Sequence, residues 1–264
     1  IVVCIIENAD LPHPDLIGNA WYNFQEIPNN SLDDDANGYV DDFEGWNPQN
    51  DNDNVYGGSH GTEVAGMIGA KGNNAEGVAG ANWDVKMMVV TRQGVGEAQV
   101  IESYTYPLVM RRIYNQTGGG KGAFVVATNA SWGIDNADPA DYPLWCALYD
   151  TLGTEGVLNC GATANNNVDI DAVGDMPTAC SSDFMISVTA TNTSDMRTFS
   201  GYGATTIDVG APGDNVYTTE IGGGYTSTSG TSFASPLTAG VIGLICSSPC
   251  PSFAALMQGD PQAG

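Results

Sequence analysis

The sequence predicts a three-layer, doubly wound α/β domain: a mostly parallel β-sheet with helices on both faces. Short β-branched runs recur along the chain and are apolar nearly end to end, as strands covered on both sides must be. Helical segments alternate with these runs, which suits the crossovers that parallel neighbours require. The chain has 264 residues with 42% apolar content, enough for one sizeable core, and no linker divides it. A single domain over residues 1–264 is therefore expected.

The strands follow in order. Ile1-Val2-Val3-Cys4-Ile5-Ile6 opens the chain, and further strands are expected at 86–91, 123–128, 156–160, 184–191 and 205–209. Helices are expected at 60–70, 97–114 and 141–152, with one more following Ser232. In such folds, sites gather beyond the carboxyl ends of the strands.

Thirty-one acidic residues face seven basic ones, a net charge of −24. That balance argues against nucleic acid or an anionic membrane as partner and suits a soluble, salt-tolerant or cation-loaded surface. No apolar run reaches the roughly 18 residues of a membrane span. The chain opens directly on a strand, and is read as the processed portion of a longer protein. The six cysteines, Cys4, Cys146, Cys160, Cys180, Cys246 and Cys250, lack zinc-site spacing. With the acidity they suggest one to three disulfides in a secreted, extracellular protein. Cys246 and Cys250 would close the shortest loop, and Cys4 suits a buried thiol.

Ser229-Gly230-Thr231-Ser232-Phe233-Ala234-Ser235-Pro236 sets a hydroxyl at the mouth of a helix expected to run on to Ile245. Pro236 is expected within its first turn, where proline is tolerated. The free N–H groups and positive dipole end there suit a developing oxyanion, although a helix cap looks the same in isolation. His60 begins a second helix within Gly57-Gly58-Ser59-His60-Gly61-Thr62-Glu63-Val64-Ala65-Gly66. The other histidine, in His13-Pro14-Asp15-Leu16, sits in a turn and reads as structural. Glu7 follows the first strand, and a carboxylate after an apolar run needs a partner or a strand end. The order is then acid, base and nucleophile: Glu7, His60, Ser232.

With these motifs the chain resembles the subtilisin-like serine proteases, or subtilases, over nearly its whole length. His13-Pro14-Asp15-Leu16, Gly58-Ser59-His60-Gly61-Thr62, Gly77-Val78-Ala79-Gly80, Ala130-Ser131-Trp132-Gly133, Val209-Gly210-Ala211-Pro212-Gly213 and the serine segment carry the resemblance. It implies a seven-stranded parallel sheet and peptide-bond hydrolysis through an acyl-enzyme. It also implies extended polypeptide substrates, an inhibitory propeptide before maturation and a monomeric enzyme. Counting onward from strand 156–160 gives Asn165 as the oxyanion donor, with Asn166 and Asn167 as neighbours if the loop slips. Subtilases usually place an aspartate before a small residue and glycine, whereas this chain has Glu7-Asn8-Ala9. Glu7 is read as the orienting acid; Asp10 in its place, or a defective triad, are the alternatives. Ser131, Trp132 and Gly133 match the backbone edge that pairs with substrate, and Gly94 and Gly96 the opposing edge. Asp169, Asp171 and Asp175 follow the pocket loop and are read as solvated acids rather than as selectors of basic side chains.

The segment 33–44 fits a calcium-loop pattern of alternating oxygen ligands around Gly38. Asp33, Asp35, Asn37, Tyr39, Asp42 and Glu44 are the candidate ligands of a structural Ca²⁺. Flanking helices of the EF-hand type are not evident, but many subtilases resemble this chain in carrying such an insertion. The leading reading is a secreted serine endopeptidase. A second is a protein-binding domain that kept the scaffold and lost catalysis, and a third is a carboxyl-type serine peptidase. The intact Ser59-His60-Gly61-Thr62 weighs against that third reading.

Overall fold

The computed structural model describes residues 1–248 and 250–262. Its centre is a seven-stranded, all-parallel sheet. The strands are β1 (Val2–Ile5), β2 (Gly45–Trp46), β3 (Lys86–Val90), β4 (Val125–Ala130), β6 (Leu158–Ala162), β8 (Met185–Thr191) and β9 (Val209–Pro212). Their spatial order is β2-β3-β1-β4-β6-β8-β9. Outside the sheet, β5 (Ile134–Asp135) pairs antiparallel with β7 (Asp175–Met176), and β10 (Val216–Glu220) with β11 (Gly224–Thr228).

Alternation along β1 divides the core. Val2, Cys4 and Ile6 face one layer with α2 (Glu97–Thr117) and α3 (Pro143–Thr154), whose Tyr104, Tyr106, Trp145 and Tyr149 are fully buried. Val3 and Ile5 face the other, with Val64 and Ile68 of α1 (Ser59–Gly69) and Phe233 and Ile242 of α5 (Thr231–Cys246). The short α4 (Ile170–Val173) lies between β6 and β7 in the chain, and α6 (Pro251–Gly259) follows α5. β1 lies between β3 and β4, so the direction of winding reverses there. A crevice forms at such a switch point, beyond the carboxyl ends of β1 and β4.

Several expectations shift. The strands expected at 123–128 and 156–160 run two residues later, as β4 and β6. The strand expected at 205–209 is instead β9, because Asp171 gathers the backbone N–H groups of Ala204, Thr205 and Thr206 into a turn. The edge strand β2 and the β10–β11 hairpin escaped the sequence reading; the two residues of β2 are too few to show a period. Pro236 is the sixth residue of α5 and so lies beyond its first turn. The missing N–H frees the Ser232 carbonyl, which accepts a 2.7 Å hydrogen bond from Ser131 Oγ instead. Cys146 and Cys180 form a disulfide. Cys246 and Cys250 stay free at the ends of different helices, α5 and α6, whereas Cys4 and Cys160 are buried thiols. Among the described residues, no single helix is long and apolar enough to cross a membrane.

Candidate active site

His60 is the second residue of α1, and close approach brings that helix to the end of β1. A Cβ on Gly61 would lie 2.0 Å from the Asn8 carbonyl oxygen, so only glycine admits the contact. His60 Nδ1 then lies 2.8 Å from Glu7 Oε2. Just before Glu7, Ile6 O accepts a 2.7 Å hydrogen bond from the Trp132 indole N–H. Asp10 faces elsewhere: its N–H donates to Thr62 Oγ1 at 2.9 Å, and its carboxylate accepts from Gly222 N at 3.4 Å. Glu7 Oε1 is buried without a hydrogen-bond partner.

Desolvation pushes the His60 pKa down, but the hydrogen bond and charge of Glu7, helped by Glu63, prevail and hold it above its ordinary value. Arg92 opposes them. Its guanidinium lies 4.5 Å from the centre of the Trp132 ring, donates to Gly94 O at 3.1 Å, and lowers the His60 pKa through its charge. Sequence reasoning missed Arg92 because nothing in Thr91-Arg92-Gln93 marks it.

Ser232 is the second residue of α5 and 9% exposed. Its Oγ donates to Ser131 O at 3.2 Å, and among the described residues it makes no hydrogen bond to His60. Unliganded sites often show this looseness. Asn129 Nδ2 donates to Ser131 Oγ at 2.9 Å, and its Oδ1 accepts from Ser235 Oγ at 2.8 Å, tying β4 to α5 close to Ser232. Sequence reasoning passed over Asn129, whose signal was an amide in an apolar strand. Asn165 Oδ1 accepts from Thr231 N at 2.9 Å and Thr231 Oγ1 at 3.1 Å. The carbonyl end of that amide is fastened to α5, and its Nδ2 is the end left for the cleft.

Ser131, Trp132 and Gly133 continue from β4 along this crevice, and Gly94 and Gly96 lie between β3 and α2. The stacked, hydrogen-bonded Arg92 links the two edges. His13 is structural: Nε2 meets Gly224 O at 2.9 Å, and Nδ1 accepts from Asp15 N at 3.0 Å.

The acidic loop gathers Glu26, Asp33 and Asp35, whose carboxylate oxygens lie within 4.8 Å of one another. Glu26 Oε1 accepts from Asp34 N at 2.8 Å and Asp35 N at 3.1 Å, while Oε2 is buried and unpartnered. Carboxylates this close repel unless a cation joins them, so the donor set fits a hard oxygen-seeking ion. Asn37 Nδ2 bridges Asp35 Oδ2 at 3.3 Å and Asp42 Oδ2 at 2.8 Å. Burial pushes the Asp42 carboxyl up to about 6 against hydrogen bonds from Tyr106, Asn37 and Asn23. One expected ligand stands apart: Glu44 lies beside Asp53 and Tyr56. The Tyr39 ring packs on Trp46 and Tyr106 with centroids 4.8 Å from each, and its place in the loop pattern calls on its backbone carbonyl. Glu26 joins the cluster, and sequence reasoning missed it because it precedes the loop pattern.

A glycine-positioned histidine with its carboxylate, beside a serine at a helix mouth, defines a class of serine hydrolases on a doubly wound sheet. The model of the subtilase family matches residues 1–256, and the chain belongs to that family, whose members are subtilisin-like serine peptidases. Among curated relatives, subtilisin-like protease 1 of Plasmodium berghei is 27% identical over 93% of this chain and 42% of its own length. The chain thus spans less than half of that relative. Thermitase of Thermoactinomyces vulgaris is 28% identical over 89% of this chain and 70% of its own. The structure of an epidermin leader peptide processing serine protease from Staphylococcus aureus shares the fold, with TM-score 0.68 and 18% identity, covering 99% of this chain and 67% of that one. A cold-adapted subtilisin-like serine proteinase does so with TM-score 0.62 and 22% identity, over 92% of this chain and 74% of that one.

Proposed function

We propose that the domain is a secreted serine endopeptidase that cleaves extended polypeptides through an acyl-enzyme. The observation that carries this is the 2.8 Å His60–Glu7 pair at the crevice that holds Ser232 and Asn165. Ser232 Oγ attacks the scissile carbonyl while His60 takes its proton at Nε2. Glu7 holds Nδ1–H, fixing the tautomer and stabilising the imidazolium. The Ser232 N–H, in the first helical turn where amides lack internal partners, and Asn165 Nδ2 receive the oxyanion. His60 then passes its proton to the leaving amine, and water repeats the sequence to free the acid. Substrate lies as an added strand between Ser131–Gly133 and the Gly94–Gly96 edge.

Glu26, Asp33 and Asp35, with Asn37 and Asp42 around them, would hold a structural Ca²⁺ that stabilises the loop and takes no part in the chemistry. An inhibitory propeptide would occupy the same cleft before maturation, and the active form would be a monomer.

Labelling with a serine-directed fluorophosphonate tests the reading. Stoichiometric modification of the parent, lost in Ser232→Ala, is expected. The absence of labelling, with peptide binding intact, would establish instead a binding domain on the same scaffold. The Ser232–Ser131 hydrogen bond, in place of one to His60, is what motivates that second reading.

A further inference from the structure

Beside Ser232 lies a cavity of about 100 Å³, lined by the substrate edge (Ser131–Gly133), the 162–165 segment, Thr231, and two carboxylates, Asp135 and Asp175. An acyl group on Ser232 with its oxyanion at Asn165 would direct the side chain of its own residue into this cavity. The pocket therefore reads the residue on the N-terminal side of the scissile bond.

Its chemistry is anionic. Asp175 is 1% exposed, not the solvated acid expected from sequence. Its Oδ2 accepts hydrogen bonds from Thr163 Oγ1 at 2.9 Å, Ala164 N at 3.2 Å and Thr178 Oγ1. Oδ1 takes none of them, although the residue lines the cavity. Asp169 and Asp171 are accounted for elsewhere: the first caps α4, and the second holds the 204–206 turn. Asp135 stands directly across the β5–β7 pair from Asp175 and is exposed at the cavity rim. Among the described residues, no lysine, arginine or histidine lines the cavity. The wall is also firmly set. A Cβ on Gly133 would lie 2.0 Å from Met176 O, and the Cys146–Cys180 disulfide ties the segment after β7 to α3.

We propose that this pocket selects a basic side chain, lysine or arginine, on the residue whose carbonyl Ser232 attacks. The proposal rests on the endopeptidase reading above. A purely structural role for Asp175 would need only Oδ2, which already satisfies three donors. The remaining oxygen, at a cavity the residue itself lines, is the feature that a cation would complete, and a second carboxylate at the rim would guide it in. Burial pushes the Asp175 carboxyl up to about 6, with the Asp135 charge adding to it against the threonine hydrogen bonds. The group is thus predominantly ionised at neutral pH, and a bound cation favours that form further.

The test uses matched fluorogenic peptides that differ only at this residue: lysine, arginine, citrulline or norleucine. The parent is expected to cleave the lysine and arginine peptides with kcat/KM about 10- to 100-fold above their neutral counterparts. Asp175→Asn should bring that ratio to within about threefold, and Asp135→Asn should reduce it less. A general loss of fold lowers both members of each pair and leaves the ratio untouched. If Asp175→Asn does not fold, the parent ratio and Asp135→Asn still decide. Equal or faster cleavage of the neutral peptides by the parent overturns the proposal, as does a preference that survives Asp175→Asn. A parent that labels with fluorophosphonate but shows no basic preference removes this inference alone. One that neither labels nor cleaves removes the endopeptidase reading with it.

Discussion

In the acidic loop, the Tyr106 bond to Asp42 aside, carboxylates find partners close by in sequence. Asp33 accepts from the backbone N–H groups of Asn37 and Gly38, four and five residues on. Along the catalytic crevice the partners come from far away: His60 meets Glu7 across 53 residues, and Asn165 meets Thr231 across 66. The loop is a local wrapping problem whose residual charge calls for an ion. The crevice is an assembly problem, solved only when the ends of β1, β4 and β6 converge on two helix mouths. Perturbing the crevice should therefore abolish chemistry and spare the fold, whereas perturbing the loop should do the reverse.

The largest expected effect is that of Ser232→Ala, which should lower kcat/KM by about 10⁴-fold or more with an unchanged melting temperature. Turnover within tenfold of the parent would dissolve the contrast between the two regions. Glu7→Gln comes next, with a loss of about 10³- to 10⁴-fold, while Asp10→Asn should change kcat little. His60 must be neutral to accept a proton, so activity falls as pH drops through its pKa, which lies above the ordinary value. Glu7→Gln should move that acid limb to lower pH, because the amide cannot stabilise the imidazolium. A limb that stays in place would mean another group orients His60.

Asn165→Ala should cost about 10²- to 10³-fold in kcat with a smaller change in KM. On the other side of the comparison, adding calcium to chelator-treated protein should raise the melting temperature by about 5–10 °C. Glu26→Gln should erase most of that rise and leave the low-temperature kcat intact. Calcium-independent melting in the parent would remove the ion from the loop. Smallest is Arg92→Gln, which should displace the acid limb upward, since the Arg92 charge holds the His60 pKa down. A pH–kcat/KM profile of the variant reads this directly.

The same contrast explains what the sequence disclosed. Apolar runs and their alternation with helices made the parallel sheet legible, because each strand carries its burial in its own residues. Asp33, Asp35 and Asn37 were legible for a related reason, since their spacing is their geometry. Gly61 announced a tight contact but not its partner, Asn8 O. Asp175 read as one more acid in an acidic chain because the partners that enclose it, Thr163 and Thr178, come from the segment just after β6 and the turn after β7. Glu44 misled because the pattern's last position falls where the chain has already turned toward Asp53 and Tyr56. Local periodicity survives translation into space; convergence of distant segments does not show in it.

Pro236 leaves a vacancy in the hydrogen-bond ladder of α5, and Ser131 fills it. Ser232, the proposed nucleophile, is thereby fastened to Ser131 on the proposed substrate edge. Motion of the helix should therefore carry that edge and the serine together. A missing backbone proton, ordinarily a weakness, here gives the crevice a common frame of reference.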